Sequence, residues 1–138
     1  MTPLALAPLI AVAIVGGAAL VLRAQRRGQR VLLGRVVEGV GRRGAPSILY
    51  FTGEACTICH TAQEPALRAL AAGLDGSVEI REVDVAIEPA LARRYRVMSL
   101  PTTIVLDAEQ VIRHINVGFA PAPTLRAQLI EAGLRVAA

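Results

Sequence analysis

The sequence predicts an α/β protein, a central mixed sheet flanked by helices, preceded by one N-terminal transmembrane helix. Three observations predict it. No charged side chain occurs from Met1 to Leu22. Beyond residue 46, short apolar runs alternate with stretches whose apolar residues recur every three or four positions, as strands interleaved with amphipathic helices do. Late in the chain, Asp107-Ala108-Glu109-Gln110 separates two strand-like runs and reads as a hairpin turn.

Residues 1–23 form the predicted anchor. Leu4 to Leu22 would span about 28 Å as a helix, close to the hydrocarbon thickness of a bilayer. Pro3, Pro8 and Gly16-Gly17 are tolerated in membrane helices. A cleaved secretory signal is the competing reading. It calls for a positive N-terminus, whereas here the charges follow the apolar run. Arg23, Arg26, Arg27, Arg30 and Arg35 lie just after the span, so a single-pass topology of bacterial type with the C-terminal side in the cytoplasm is expected. Residues 24–45 read as a basic juxtamembrane linker. Val31 to Gly41 fits an interfacial helix, a short strand or a tether equally well, and Arg42-Arg43-Gly44-Ala45-Pro46 reads as a turn.

The predicted domain occupies residues 46–138. Ser47 to Thr52 is an apolar run suited to a buried central strand. His60 to Leu74 reads as a helix burying Ala62, Ala66, Leu67, Leu70 and Leu74, kinked at Pro65. Val78 to Val85 is the next strand, and Pro89 to Tyr95 a short helix with proline near its start. Thr102 to Leu106 and Val111 to Val117 are the two hairpin strands. Thr124 to Leu134 closes the chain as a helix, with Leu125, Leu129, Ile130 and Leu134 on one face and Thr124 as N-cap. Tyr95 and Phe119 are expected in core or edge packing.

Composition narrows the function classes. The net charge is +4, and every one of the 15 cationic residues is arginine. Four of them crowd between Arg23 and Arg30 beside the apolar run, which suits a membrane surface. No aromatic side chains interleave with them as a nucleic-acid stacking platform requires, so no nucleic-acid partner is expected.

The chemistry converges on Cys56-Thr57-Ile58-Cys59, whose cysteines are the only two in the chain. A strand delivers them to a helix N-terminus, where unpaired N–H groups and the helix dipole stabilise a thiolate. Three positions apart, they lie one turn from each other and can close a disulfide. A redox dithiol follows.

Together with Val83-Asp84-Val85, the run Leu91 to Val97, and Ser99-Leu100-Pro101-Thr102, this motif resembles the thioredoxin family from Pro46 to Leu134. The resemblance implies a thioredoxin-like fold with an abbreviated N-terminal part. It implies a thiol–disulfide oxidoreductase of thioredoxin type, needing no bound cofactor and no metal. Cys56 would be the attacking thiolate and Cys59 the resolving thiol. Pro101 would follow a cis peptide bond beside them, with Ser99, Leu100 and Thr102 lining the substrate groove. Partners would be protein disulfides or dithiols and an upstream thiol electron donor. Many membrane-tethered bacterial relatives face outward, opposite to the arginine count.

Several positions depart from the family's pattern. Ala55 replaces an aromatic residue, and Thr57-Ile58 replaces Gly-Pro. Tyr50 stands where the family often buries an acid, and Glu82 where a basic residue often lies near it. The helix proline, Pro65, comes one place late. Proton transfer to and from Cys59 is therefore expected to use Glu82, His60 or water.

Three alternatives remain open. A tethered module of this fold could bind partners without catalysis. Cys56-Thr57-Ile58-Cys59-His60 also spells a c-type haem attachment sequence, with Met98 or His114 as a further ligand. A zinc site would need both cysteines, His60 and distant His114 together.

Overall fold

The computed structural model describes residues 3–136, with side chains from Leu6 onward. Met1 and Thr2, in the predicted anchor, and Ala137 and Ala138, in the predicted domain, lie outside the described residues. The chain forms two compact units, one ending at Val31 and one starting at Leu32.

The first unit is helix α1, Pro3–Arg30. From Leu6 to Arg30 it is long and apolar enough to cross a membrane, reaching a mean hydropathy of 2.2, and its side chains from Leu6 to Leu22 are all exposed. Arg27 and Arg30 in the last turn sit where cations oppose the helix dipole.

The second unit is built on strand β1, Ser47–Thr52, whose six residues are all buried. Strand side chains alternate faces, and here both faces are covered. Ile48 and Tyr50 enter one core with Leu67, Leu70, Leu125 and Leu129. Leu49 and Phe51 enter another with Val83, Ala92, Tyr95 and Ile104. Hence the sequence shows an unbroken apolar run instead of alternation. Ile48, Leu49, Tyr50 and Phe51 are each no more than 1% exposed, and burying such a side chain stabilises by about 2 kcal/mol.

Strands β2 (Glu79–Asp84), β3 (Thr102–Leu106) and β4 (Ile112–Val117) complete a sheet of order β2-β1-β3-β4. β1 and β2 are parallel, and β1–β3 and β3–β4 are antiparallel. Helices α2 (Glu64–Gly73) and α4 (Ala122–Glu131) supply the first core, and α3 (Pro89–Arg94) the second. Phe51 and Tyr95 pack as a tilted aromatic pair with centroids 6.1 Å apart. The outer edge of β2 pairs with no strand among the described residues.

Residues 32–45, read from the sequence as part of a linker, contribute to this second core through Leu32, Val37 and Val40. Val36 bridges to Val111, and Gly44 N–H bonds the Ala108 carbonyl. Of the arginines that made the stretch look like a tether, Arg35 lies within the buried apolar set and Arg42 and Arg43 follow it.

Other local differences have physical causes. The helix after the cysteines is not simply kinked at Pro65. Cys59–Gln63 forms a π-helical turn, in which Glu64 N–H bonds the Cys59 carbonyl. A proline ring collides with the carbonyl four residues back in an α-helix, and the wider turn relieves that contact while housing the one-residue displacement of Pro65. Ala62 and Ala66 are half-buried; the inward stripe is Gln63, Leu67, Leu70 and Leu74. Helix α4 starts at Ala122 behind Pro121, with no side-chain cap from Thr124. Its Leu125 and Leu129 are fully buried, while Ile130 is 48% exposed and Phe119 is 46% exposed.

The hairpin turn is held by Asp107. Its carboxylate accepts from Glu109 N–H at 3.0 Å, Val111 N–H at 2.9 Å and Arg113 Nε at 2.7 Å. Burial pushes the carboxyl upward, but bonds from Val111, Arg113 and Glu109 outweigh it and hold it below its ordinary 3.8. A depressed folded value stabilises above the unfolded one and is lost as pH falls. Asp107→Asn should cost about 1–2 kcal/mol at pH 7 in urea unfolding, and the gap to the parent chain should close as pH drops through 3.8 and below.

Candidate functional site

Where β1 ends, three loops meet. The register places Phe51 opposite Thr102, so Pro101 lies level with the point where the chain leaves β1 toward Cys56. The Leu100–Pro101 bond is cis. Gly53 allows the two loops to approach closely, since a Cβ there would stand 3.0 Å from Leu100 Cδ1. The third loop follows β4. Gly118, at φ +87°, donates its N–H to the Pro101 carbonyl at 2.8 Å.

Cys56 and Cys59 form a disulfide with Cα atoms 5.3 Å apart. Cys56 is half-buried and Cys59 fully buried, so only the first sulfur is open to a partner. Cys56 N–H bonds the Gly53 carbonyl at 3.0 Å, and Cys59 N–H donates to Cys56 Sγ at 3.3 Å. That N–H is a ready stabiliser of a thiolate on Cys56.

The other residues singled out in the sequence fall into place unevenly. Ser99 and Leu100 are half-exposed at the junction. Thr102 is fully buried, with its hydroxyl bonded to the Ser99 carbonyl at 2.7 Å, so it shapes the loop and offers no side chain outward. His60 stands beside the cysteines, its Nδ1 2.7 Å from Glu64 Oε1 and its Nε2 3.1 Å from the Glu54 carbonyl. Both ring nitrogens thus meet acceptors, and the two sulfurs are bonded to each other. His114, on β4, pairs with Glu131 of α4 at 2.9 Å.

Glu82 is exposed on β2, level with Tyr50 on β1. Both line a cleft of ≈ 240 Å³ that also receives Glu64 and Arg68. Tyr50 is buried and donates to Thr52 Oγ1 at 3.1 Å. Burial, above all, raises its phenol above the ordinary 10.0, so it keeps its proton at neutral pH. A neutral phenol occupies this position, in the core that also holds Cys59.

Gln63 was not singled out, yet it ties two of the loops together. Fully buried, it donates Nε2 to the Ala120 carbonyl at 3.0 Å and accepts the Ala120 N–H at 2.9 Å. Its place in the stripe, four before Leu67, was the available signal. Phe119, flanked by tethered Gly118 and Ala120, is presented outward, as are Ile58 (50% exposed) and Met98 (77% exposed) on the other two loops.

The thioredoxin sequence model matches residues 38–131, and the chain belongs to the thioredoxin family. A thioredoxin of Staphylococcus aureus is 41% identical over 61 residues, covering 44% of this chain and 58% of its own length. The chain thus spans under three-fifths of the curated relatives it matches. Among solved structures, thioredoxin-2 of a malaria parasite is 24% identical with a TM-score of 0.62, over 71% of this chain and 93% of that one. Chloroplastic thioredoxin z is 26% identical with a TM-score of 0.58, over 65% and 80%.

Replacing Gln63 by Ala strands two buried backbone groups. A loss of about 2–4 kcal/mol is expected, read as a lowered midpoint in denaturant unfolding of the oxidised chain.

Proposed function

We propose that the chain is a membrane-anchored thiol–disulfide oxidoreductase acting on protein disulfides without a bound cofactor. The observation that carries this reading is the half-buried Cys56 of a Cys56–Cys59 disulfide, in a turn that leaves β1 level with the cis Leu100–Pro101 bond. In the reducing direction Cys56 thiolate attacks one sulfur of a substrate disulfide. The S–S bond breaks, the leaving thiolate takes a proton from solvent, and a mixed disulfide remains. Cys59, losing its proton, attacks Cys56 Sγ; the substrate leaves as a dithiol and the Cys56–Cys59 bond re-forms. A donor dithiol then returns two electrons and two protons. Run backward, the same steps oxidise a substrate.

A protein partner would lie along Ser99, Leu100 and Pro101, with Thr102 supporting that loop from below. Exposed Ile58, Met98 and Phe119 offer the apolar contacts. With Tyr50 locked as a neutral phenol, the proton of Cys59 would pass to Glu82, to His60 once its ring is neutral, or to water. The α1 span would hold the domain at the bilayer, its arginines keeping the domain on the cytoplasmic side.

Reduction of insulin disulfides tests the chemistry. Cys56→Ser should abolish it, while Cys59→Ser should stall at a mixed disulfide visible by mass; a parent chain that reduces no insulin, together with a partner held equally well by Cys56→Ser, would leave a partner-binding module as the better reading. The same assay across pH, run on Glu82→Gln, should show a shifted profile if Glu82 carries the proton; an unchanged one removes it from the mechanism. Protease added to intact cells should spare the domain, whereas digestion would reverse the orientation.

A further inference from the structure

We infer that His60 positions Cys56, its imidazolium clasping the Glu54 carbonyl on one side and the Glu64 carboxylate on the other, so that the attacking sulfur is held and its thiolate favoured. The inference rests on the assignment of Cys56 as the attacking thiolate. It concerns what His60 does before any proton leaves Cys59.

The donor–acceptor count is the argument. A backbone carbonyl and a carboxylate only accept hydrogen bonds, and a neutral imidazole donates from one nitrogen only. His60 meets an acceptor at each nitrogen, 2.7 Å from Glu64 Oε1 and 3.1 Å from the Glu54 carbonyl. Both bonds stand only in the doubly protonated ring. The clasp joins the loop just before Cys56 to helix α2 just after Cys59, and so brackets the dithiol. His60 N–H also bonds the Cys56 carbonyl at 3.4 Å, which places the ring's backbone one turn from the sulfur. The charged groups around it are Glu54 on its loop and Glu64 on α2. Arg68 lies a turn beyond, Glu82 and neutral Tyr50 face the cleft from the sheet, and the two cysteines complete the set.

The sign follows. The hydrogen bond to Glu64, then that to the Glu54 carbonyl, raise His60 above its ordinary 6.5. The clasp is therefore whole below that raised value. It is half-released as pH climbs through it, when one bond and the positive charge go together. A cation near Cys56 lowers the pKa of its thiol, and by linkage the thiolate in turn holds the proton on His60.

The test uses the reduced full chain and iodoacetamide, with mass spectrometry assigning the label to Cys56 across pH 4–10. His60→Ala should leave about threefold less thiolate at pH 6, the size expected of a solvent-screened charge a turn away. Glu64→Gln keeps a hydrogen-bond acceptor but removes the carboxylate. It should move the His60 ring titration, followed by NMR, to lower pH and shrink the Cys56 effect in step. A reduced wild-type chain should also titrate His60 at higher pH than the oxidised one. Superimposable Cys56 profiles for wild type and His60→Ala overturn the inference, as does a rate change that is the same at every pH. A chain that alkylates as expected yet never reduces insulin overturns the proposed activity and leaves the role of His60 standing.

Discussion

Everything at the site depends on the pairing of β1 with β3. Phe51 opposite Thr102 sets where the cis Leu100–Pro101 bond falls relative to the end of β1, and only there does the chain leave the sheet to make the cysteine turn. A slip of one residue would send Leu49 and Phe51 to the wrong core and carry the proline loop away from Gly53. Because β1 is buried on both faces, that slip would expose or misplace four large side chains at once. The geometry of the site is thus specified by hydrophobic burial some residues away from any sulfur.

The same logic explains what could be read in advance. Elements that announce themselves by burial, the four strands and the Leu67-Leu70-Leu74 face, were legible because burial writes its period into the chain. The dithiol was legible because its cysteines are the only two in the chain, and the cis bond at Pro101 because its segment resembles the thioredoxin family. Gln63 was not, since a buried glutamine looks like any surface glutamine until its backbone partner, 57 residues away, is known. Thr102 shows the converse. Adjacency to Pro101 in sequence implied a groove residue, yet strand alternation turns its side chain inward. The stretch from Leu32 to Val40 was opaque because two glycines, Arg35 and Glu38 break up its apolar set and no single period runs through it.

Tyr50 stands where the family often buries an acid, in the core that also holds Cys59. A phenol with its hydroxyl bonded to Thr52 fills more space than a carboxyl side chain and stays neutral where a carboxylate could ionise. The titratable groups lie further out, Glu64 and Glu82 on an open cleft and His60 paired with Glu64. There water and salt reach them directly.

The π-helical turn at Cys59–Gln63 has a rotational consequence. Each residue of an α-helix advances the chain by about 100°, so an extra residue threaded into a regular helix would swing everything upstream by more than a quarter of a revolution. Widening a single turn takes up that angle on the spot. The sulfurs keep their heading toward the proline loop while Leu67 and Leu70 keep theirs toward the sheet, and the helix works as a coupling whose two ends are set independently.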